Sequence, residues 1–191
     1  AELSPEHISA YSLIIEEGTP FAQKKLILPT EDEEYQMYED TAEILRKYGF
    51  HQYEISNYAR DGFECRHNKG YWQRTEYLGA GLGAASLFQG KRFSNTRDMQ
   101  TYLADSTEPE KIREDVTTLS RNNEIEEFMF LGLRMTEGIS ERQFERNFGC
   151  RIEDIYGSVL AKYKEMDLLE HTGEFMITDR KSGSAGMPRP I

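Results

Sequence analysis

Cysteine is scarce. Cys65 and Cys150, 85 positions apart, are the only two in 191 residues, too few for a disulfide framework, and their number points to a reducing, cytoplasmic setting. Long apolar runs are missing too. No stretch approaches the roughly 18 residues a membrane-spanning helix needs, and no charged-then-apolar leader opens the chain. Positive charge is in short supply, with 23 Lys and Arg against 34 Asp and Glu, a net charge of −11. Nonspecific binding to nucleic acid or anionic lipid needs a positive field, which this balance does not supply. Aromatic residues are not lacking: at 12% they argue against a disordered chain. The length allows one large or two small domains with a sizeable core. The chain does not begin with Met and soon enters a strand-like run, as a piece of a longer protein would.

Taken in order, Ile8 to Ile15 reads as a strand buried on both faces, as in a parallel sheet, because its apolar side chains are nearly continuous. Thr30 and Glu33 predict a capping box, and Tyr35, Tyr38, Ala42 and Leu45 line one face of the helix behind it, which Gly49 closes. The acids Glu31 to Glu34 suit that helix start and do not call for a metal. Tyr53 to Ile55 is a second short strand, so strand, helix and strand suggest a βαβ unit. Ligands in such sheets sit beyond the strand C-termini, here near Glu16 and Ser56-Asn57.

The densest stretch for chemistry is 53–86. It joins Tyr53-Glu54-Ile55-Ser56-Asn57, Cys65-Arg66-His67-Asn68-Lys69-Gly70-Tyr71-Trp72 and a run with glycines at 79, 81 and 83. The middle piece reads as a loop. His67 beside Asn68, Tyr71 and Trp72 can anchor a hydrogen-bond network, ligate a metal or haem iron, or stack on a flat ligand. Core packing is the competing role for Tyr71 and Trp72, and loop anchoring for His67. The glycine run lacks a G-x-G-x-x-G fingerprint and otherwise reads as a glycine-loosened strand. Glu54 suits either a substrate cavity or a structural ion pair. His7, His51 and His171 look isolated, and both cysteines read as buried thiols.

Residues 89–98 look like polar turns, with a short helix from Met99 to Ala104 behind Asp98. From about Thr107 strand-like alternation gives way to amphipathic helices over 122–133, 141–148 (capped by Ser140 with Gln143) and 152–163. A hairpin turning at Thr172-Gly173 follows. Three helices and a hairpin make a winged-helix-like module. The tail 181–191 is polar and unpatterned and is expected to be disordered.

His7-Ile8-Ser9-Ala10-Tyr11-Ser12-Leu13, Glu16-Glu17-Gly18-Thr19-Pro20-Phe21, Tyr53-Glu54-Ile55-Ser56-Asn57, Cys65-Arg66-His67-Asn68-x-x-Tyr71-Trp72 and Tyr77-Leu78-Gly79-x-Gly81-x-Gly83-Ala84 together resemble the second half of HemW-type proteins. These are radical S-adenosylmethionine proteins related to oxygen-independent coproporphyrinogen III oxidase. Glu127-x-x-x-x-Gly132-Leu133-Arg134 and Gly138-Ile139 resemble the family's C-terminal helical domain. The likeness covers about residues 3 to 180.

The resemblance implies an α/β then α architecture. Residues 1–106 would be the last strands of a partial (β/α) radical-SAM barrel, and 107–180 the helical, winged-helix-like C-terminal domain. The family's C-x-x-x-C-x-x-C loop, which binds the [4Fe–4S] cluster and S-adenosylmethionine, has no counterpart here, so those cofactors are expected only in a full-length parent and no catalytic residue is assigned. The resemblance makes His67 the candidate axial ligand of haem iron, Asn68 its orienter, and Tyr71 and Trp72 an aromatic wall. It places Tyr11, Leu13 and Ala85 beside a nucleoside cofactor, although many relatives carry His where Ala85 stands. Beyond Thr178 the family continues with Gly and an apolar helix, where this sequence turns polar.

The function implied is that of a haem chaperone. It would bind haem, weakly in this stretch alone, and pass it to recipient haem proteins, membrane-associated ones included. The alternative is oxidative decarboxylation of coproporphyrinogen III. Enzymes of that kind look more like Arg-Asn-Phe-x-Gly-Tyr where this chain has His67-Asn68-x-x-Tyr71-Trp72, which favours the chaperone. A winged-helix nucleic-acid module is a remote third reading, since residues 108–180 hold 17 acidic and 10 basic side chains.

Overall fold

The structure, a computed structural model, describes residues 3–24, 26–173 and 175–178. It contains two compact units, one of residues 1–65 with 133–191 and one of residues 66–132. The expected disordered tail, 181–191, lies outside the described residues.

The first unit holds strand β1 (His7–Ser9), helix α1 (Glu31–Lys47), β2 (His51–Glu54) and β3 (Asn57–Ala59). Helix α1 forms as its sequence dictates. Thr30 caps it, with Glu33 N donating to Thr30 Oγ1 at 3.3 Å and Thr30 N to Glu33 Oε2 at 2.8 Å, and Gly49 follows it at φ +81°. Leu45 is buried, Tyr35, Tyr38 and Ala42 are half-buried, and Leu45 packs with Phe50 and Tyr58, joined by Ile8, Ala10 and Ala42.

The sheet corrects the expected parallel βαβ pairing. β3 lies between β1 and β2 and runs antiparallel to both. The strand expected over Ile8–Ile15 also stops early. Ala10 N still donates to Ser56 O at 2.8 Å, but β3 is only three residues long and the chain reverses at Ile55-Ser56. Residues 11 to 15 therefore find no ladder partner in this sheet. Tyr11 and Leu13 stand 71% and 56% exposed in place of the expected two-sided burial.

The same unit continues through β7 (Ile139–Ser140), α5 (Glu141–Phe148), α6 (Ile152–Glu165) and the hairpin β8 (Leu169–Thr172) and β9 (Phe175–Thr178), with β9 central in the order β7-β9-β8. Ser140 caps α5 by accepting from Gln143 N at 3.1 Å, and Gly149 ends it in the left-handed conformation at φ +67°. Phe144 is fully buried and its ring lies 4.8 Å from that of Phe148. The hairpin at Thr172-Gly173 forms where expected, with Thr172 opposite Phe175.

The second unit holds α2 (Arg66–Trp72), β4 (Ala85–Phe88), β5 (Lys91–Asn95), α3 (Met99–Asp105), a 3₁₀ turn (Pro109–Ile112), β6 (Arg113–Thr118) and α4 (Arg121–Gly132). β5 is central in an antiparallel sheet β4-β5-β6. Two expectations are corrected here. The polar stretch 89–98 contains β5, because Gln89 and Gly90 both adopt positive φ and make the tight reversal of a hairpin. Strand structure also persists past Thr107, in β6. Its outward side chains are almost all exposed, so no apolar alternation marks it. Helix α4 buries Ile125, Phe128, Met129 and Leu131, with Glu127 among them.

Candidate functional site

The His67 motif is a helix, not the loop expected from its glycine and polar content. Arg66–Trp72 makes two turns. Gln73 N donates to Lys69 O at 2.8 Å and Arg74 N to Tyr71 O at 3.2 Å, while Arg74 takes φ +56° and stops the helix. Helical spacing sets His67 above Tyr71 and Asn68 above Trp72. The imidazole meets the Tyr71 ring edge-on, with centroids 4.5 Å apart and planes at 72°. Tyr71 in turn meets Tyr77 at 4.6 Å and 81°, and Tyr77 is held by a bridge to Leu87 of β4. His67 is exposed, and Asn68, Tyr71 and Trp72 are half-buried. The result is an accessible imidazole at the end of an aromatic stack, an arrangement that can ligate a metal or stack on a flat ligand.

Behind the stack sits a buried ionic group. Glu127 accepts from Arg74 Nε at 3.0 Å and from Arg92 Nε at 2.6 Å, and the Tyr77 hydroxyl adds to the electrostatic surroundings of Arg92. Burial pushes the Glu127 carboxyl up, but the hydrogen bonds from Arg92 and Arg74 outweigh it and leave the group below the usual carboxylate range. In the sequence Glu127 stands out only as part of a family pattern. An acid in the apolar stripe of α4, beside Ile125, Phe128 and Met129, was the available sign of a buried partner.

The glycine run is a tied loop leading into β4. Gly79 N donates to Ser86 Oγ at 3.0 Å, Gly81 N to the Tyr102 hydroxyl at 3.1 Å and Gly83 N to Thr96 O at 3.1 Å. Asn95 Nδ2 donates to Gly79 O at 3.1 Å and Gly81 O at 2.9 Å. Glycine is required at 79, where an added Cβ would lie 2.3 Å from Ala85 O. Asn95 and Tyr102 carry this loop and were not singled out from sequence; neither has a motif, since their partners are backbone groups.

His67, Asn68, Tyr71, Trp72 and Ala85 all belong to the second unit, with Ala85 exposed at the start of β4. Tyr11 and Leu13 belong to the first, on the unpaired segment. There Glu54, 1% exposed, accepts from Ser56 N at 2.8 Å and Asn57 Nδ2 at 2.5 Å, and Asn57 accepts from Ser9 Oγ at 2.5 Å. In this unit Glu54 serves as a structural acceptor. Burial lowers the Arg134 pKa, partly countered by the charge of Glu54. The other histidines are not isolated: His7 bonds Tyr53 at 2.8 Å, His51 lies between Asp61 (3.2 Å) and Glu64 (2.9 Å), and His171 meets Glu141 at 3.0 Å.

Both cysteines are half-buried, short of the full burial expected. An iron–sulfur cubane is held by several thiolates, and two cysteines do not make that donor set. Among the described residues no cluster of three or more His, Cys, Asp or Glu side chains converges on a metal position, and no helix is long and apolar enough to cross a membrane.

Comparison with known proteins fits this geometry into a class. The solved structure of coproporphyrinogen III oxidase (HemN) from Escherichia coli, described as a radical SAM enzyme, superposes with a TM-score of 0.70 at 18% identity, over 96% of this chain and 46% of that one. The fold is therefore that of the corresponding part of HemN, mixed α and β with small sheets. Residues 119–180 match the HemN C-terminal domain family. Curated relatives narrow the class. The heme chaperone HemW of Lactococcus lactis is 40% identical over 172 residues, 88% of this chain and 45% of its own length. That of Bacillus subtilis is 38% identical over 177 residues, 89% and 46%. The chain spans about half the length of the curated relatives it matches, and over that span it belongs to the HemW-type proteins.

Proposed function

We propose that this chain is the haem-receiving part of a radical-SAM-type haem chaperone that acts in the cytoplasm and hands haem to recipient haem proteins. His67 is the axial ligand, Asn68 is the hydrogen-bonding orienter one position further along the helix, and Tyr71 and Trp72 flank the macrocycle. The observation that carries this is the exposed His67 imidazole set edge-on against Tyr71 at 4.5 Å, in a chain whose curated relatives are named heme chaperones. A neutral imidazole nitrogen open to solvent can bind iron, and aromatic faces suit an apolar ring.

In the longer protein, the [4Fe–4S] cluster and S-adenosylmethionine belong to a cysteine loop outside this stretch, with Tyr11, Leu13 and Ala85 in contact with the nucleoside. Residues 1–106 then supply the closing strands of the barrel, with the extended, unpaired Tyr11–Ile15 segment as one of them, and 107–180 the winged-helix-like C-terminal domain. The match of 119–180 to the HemN C-terminal domain family supports that division.

The test is a haem titration followed at the Soret band, on this chain and on His67→Ala. Loss of the histidine-ligated spectrum in the variant supports the reading. Identical spectra and affinities remove His67 as the ligand.

A further inference from the structure

The His67 stack is gripped at both ends by one carboxylate. Glu127, 9% exposed on α4, holds Arg74, the residue that terminates the His67 helix, and Arg92 of β5. The Arg92 guanidinium is under the electrostatic influence of the Tyr77 hydroxyl, Tyr77 packs on Tyr71 at 4.6 Å, and Tyr71 on His67 at 4.5 Å. Two paths therefore run from Glu127 to His67: Arg74 fixes the end of the helix, and Arg92 places its charge beside the Tyr77 hydroxyl at the far side of the stack.

We propose that Glu127 is a positioning residue for His67, setting the angle at which the imidazole is presented by clamping Arg74 and Arg92 together. A two-turn helix with Gly70 inside it has little rigidity of its own. Its orientation comes from what it is tied to, and charge-assisted hydrogen bonds in a buried setting are the stiffest ties available. A neutral amide in place of the carboxylate keeps the size but cannot accept strongly from two guanidinium groups at once, so both Arg74 and the Tyr77 ring are released. The purpose of this clamp rests on the haem reading above; its existence does not.

The experiment therefore reads His67 directly. The chain has four histidines, so their ring-proton resonances form a small, assignable set. His67 is identified by the signal lost in His67→Ala. Tyr71→Leu then removes the ring current and sets the scale. In Glu127→Gln, His67 is expected to move by at least about half the Tyr71→Leu displacement, as a released ring packed this closely would. His7, His51 and His171 stay in place. Plain destabilisation would lower the melting temperature without displacing His67 in the folded protein.

A parallel haem titration is expected to weaken about tenfold or more, the scale of one lost charge-assisted bond. A folded Glu127→Gln protein with wild-type His67 resonances overturns the proposal, whatever haem does. If His67 moves but the unsubstituted chain takes up no haem, the chaperone reading fails and the clamp stands. Should Glu127→Gln not fold, Arg92→Met, at a side chain 36% exposed, frees the Tyr77 end alone. His67 must then shift, and unmoved resonances overturn the proposal equally.

Discussion

Replacing Glu54 by alanine gives the sharpest test of how the first unit is held together. The carboxylate is 1% exposed and satisfies two donors, the Ser56 amide and the Asn57 side chain. Alanine leaves the buried Asn57 donor and the half-buried Ser56 amide unpaired, at about 1–3 kcal/mol each. It also strips a negative charge that Arg134 feels in a partly desolvated setting. Together the loss is about 2–6 kcal/mol. At about 2–4 °C per kcal/mol for a chain of this size, the melting temperature drops by about 4–24 °C. Glu54→Gln keeps an acceptor oxygen for both donors and loses only the charge, so its cost is about 1–2 kcal/mol. Urea denaturation followed by far-UV circular dichroism measures both. Stabilities within about 0.5 kcal/mol of the unsubstituted chain for both variants would show that the Glu54 network carries no weight.

Three further outcomes are expected. Phe144→Ala empties a fully buried site beside Phe148 and should cost about 3–5 kcal/mol in the same denaturation assay. Gly79→Ala drives a methyl group into the Ala85 carbonyl and should cost about 1–3 kcal/mol, with hydrogen exchange faster at the Gly81 and Gly83 amides. The depressed Glu127 carboxyl contributes stability that is fully present above the ordinary carboxylate pKa. That stability is lost as pH falls through its lower folded value, so an acid titration should show a loss beneath the ordinary carboxylate range that Glu127→Gln lacks.

Much of the fold was legible where a local rule and a tertiary contact agreed. Thr30 with Glu33, and Ser140 ahead of Phe144, announce α1 and α5 because caps act within four residues. Thr172-Gly173 announces its hairpin in the same way. What stayed hidden depends on partners distant in sequence. β5 and β6 are polar and meet as neighbours across 91–118, so nothing in either alone marks a strand. Ile8 to Ile15 looks like a core strand, yet its length is cut by how far β3 runs. At the site, His67, Tyr71 and Trp72 could be picked out by residue type and family pattern. Their helical arrangement could not, because Gly70 and the absence of an obvious cap argue against a helix that packing nonetheless enforces. The pairing of Glu127 with Arg74 and Arg92 spans 53 and 35 positions, beyond the reach of any periodicity.

The brevity of α2 has a thermodynamic consequence. Seven residues are too few to stay helical in water unaided, so His67 and Tyr71 are juxtaposed only while the surrounding unit is folded. Any molecule that grips that juxtaposition must also protect the unit against heat. At a free concentration one hundred times its dissociation constant the protection is about 2.7 kcal/mol. Occupancy of the imidazole could thus be read by calorimetry with colourless porphyrin-free ligands such as simple metal chelates, without any optical signal from the ligand.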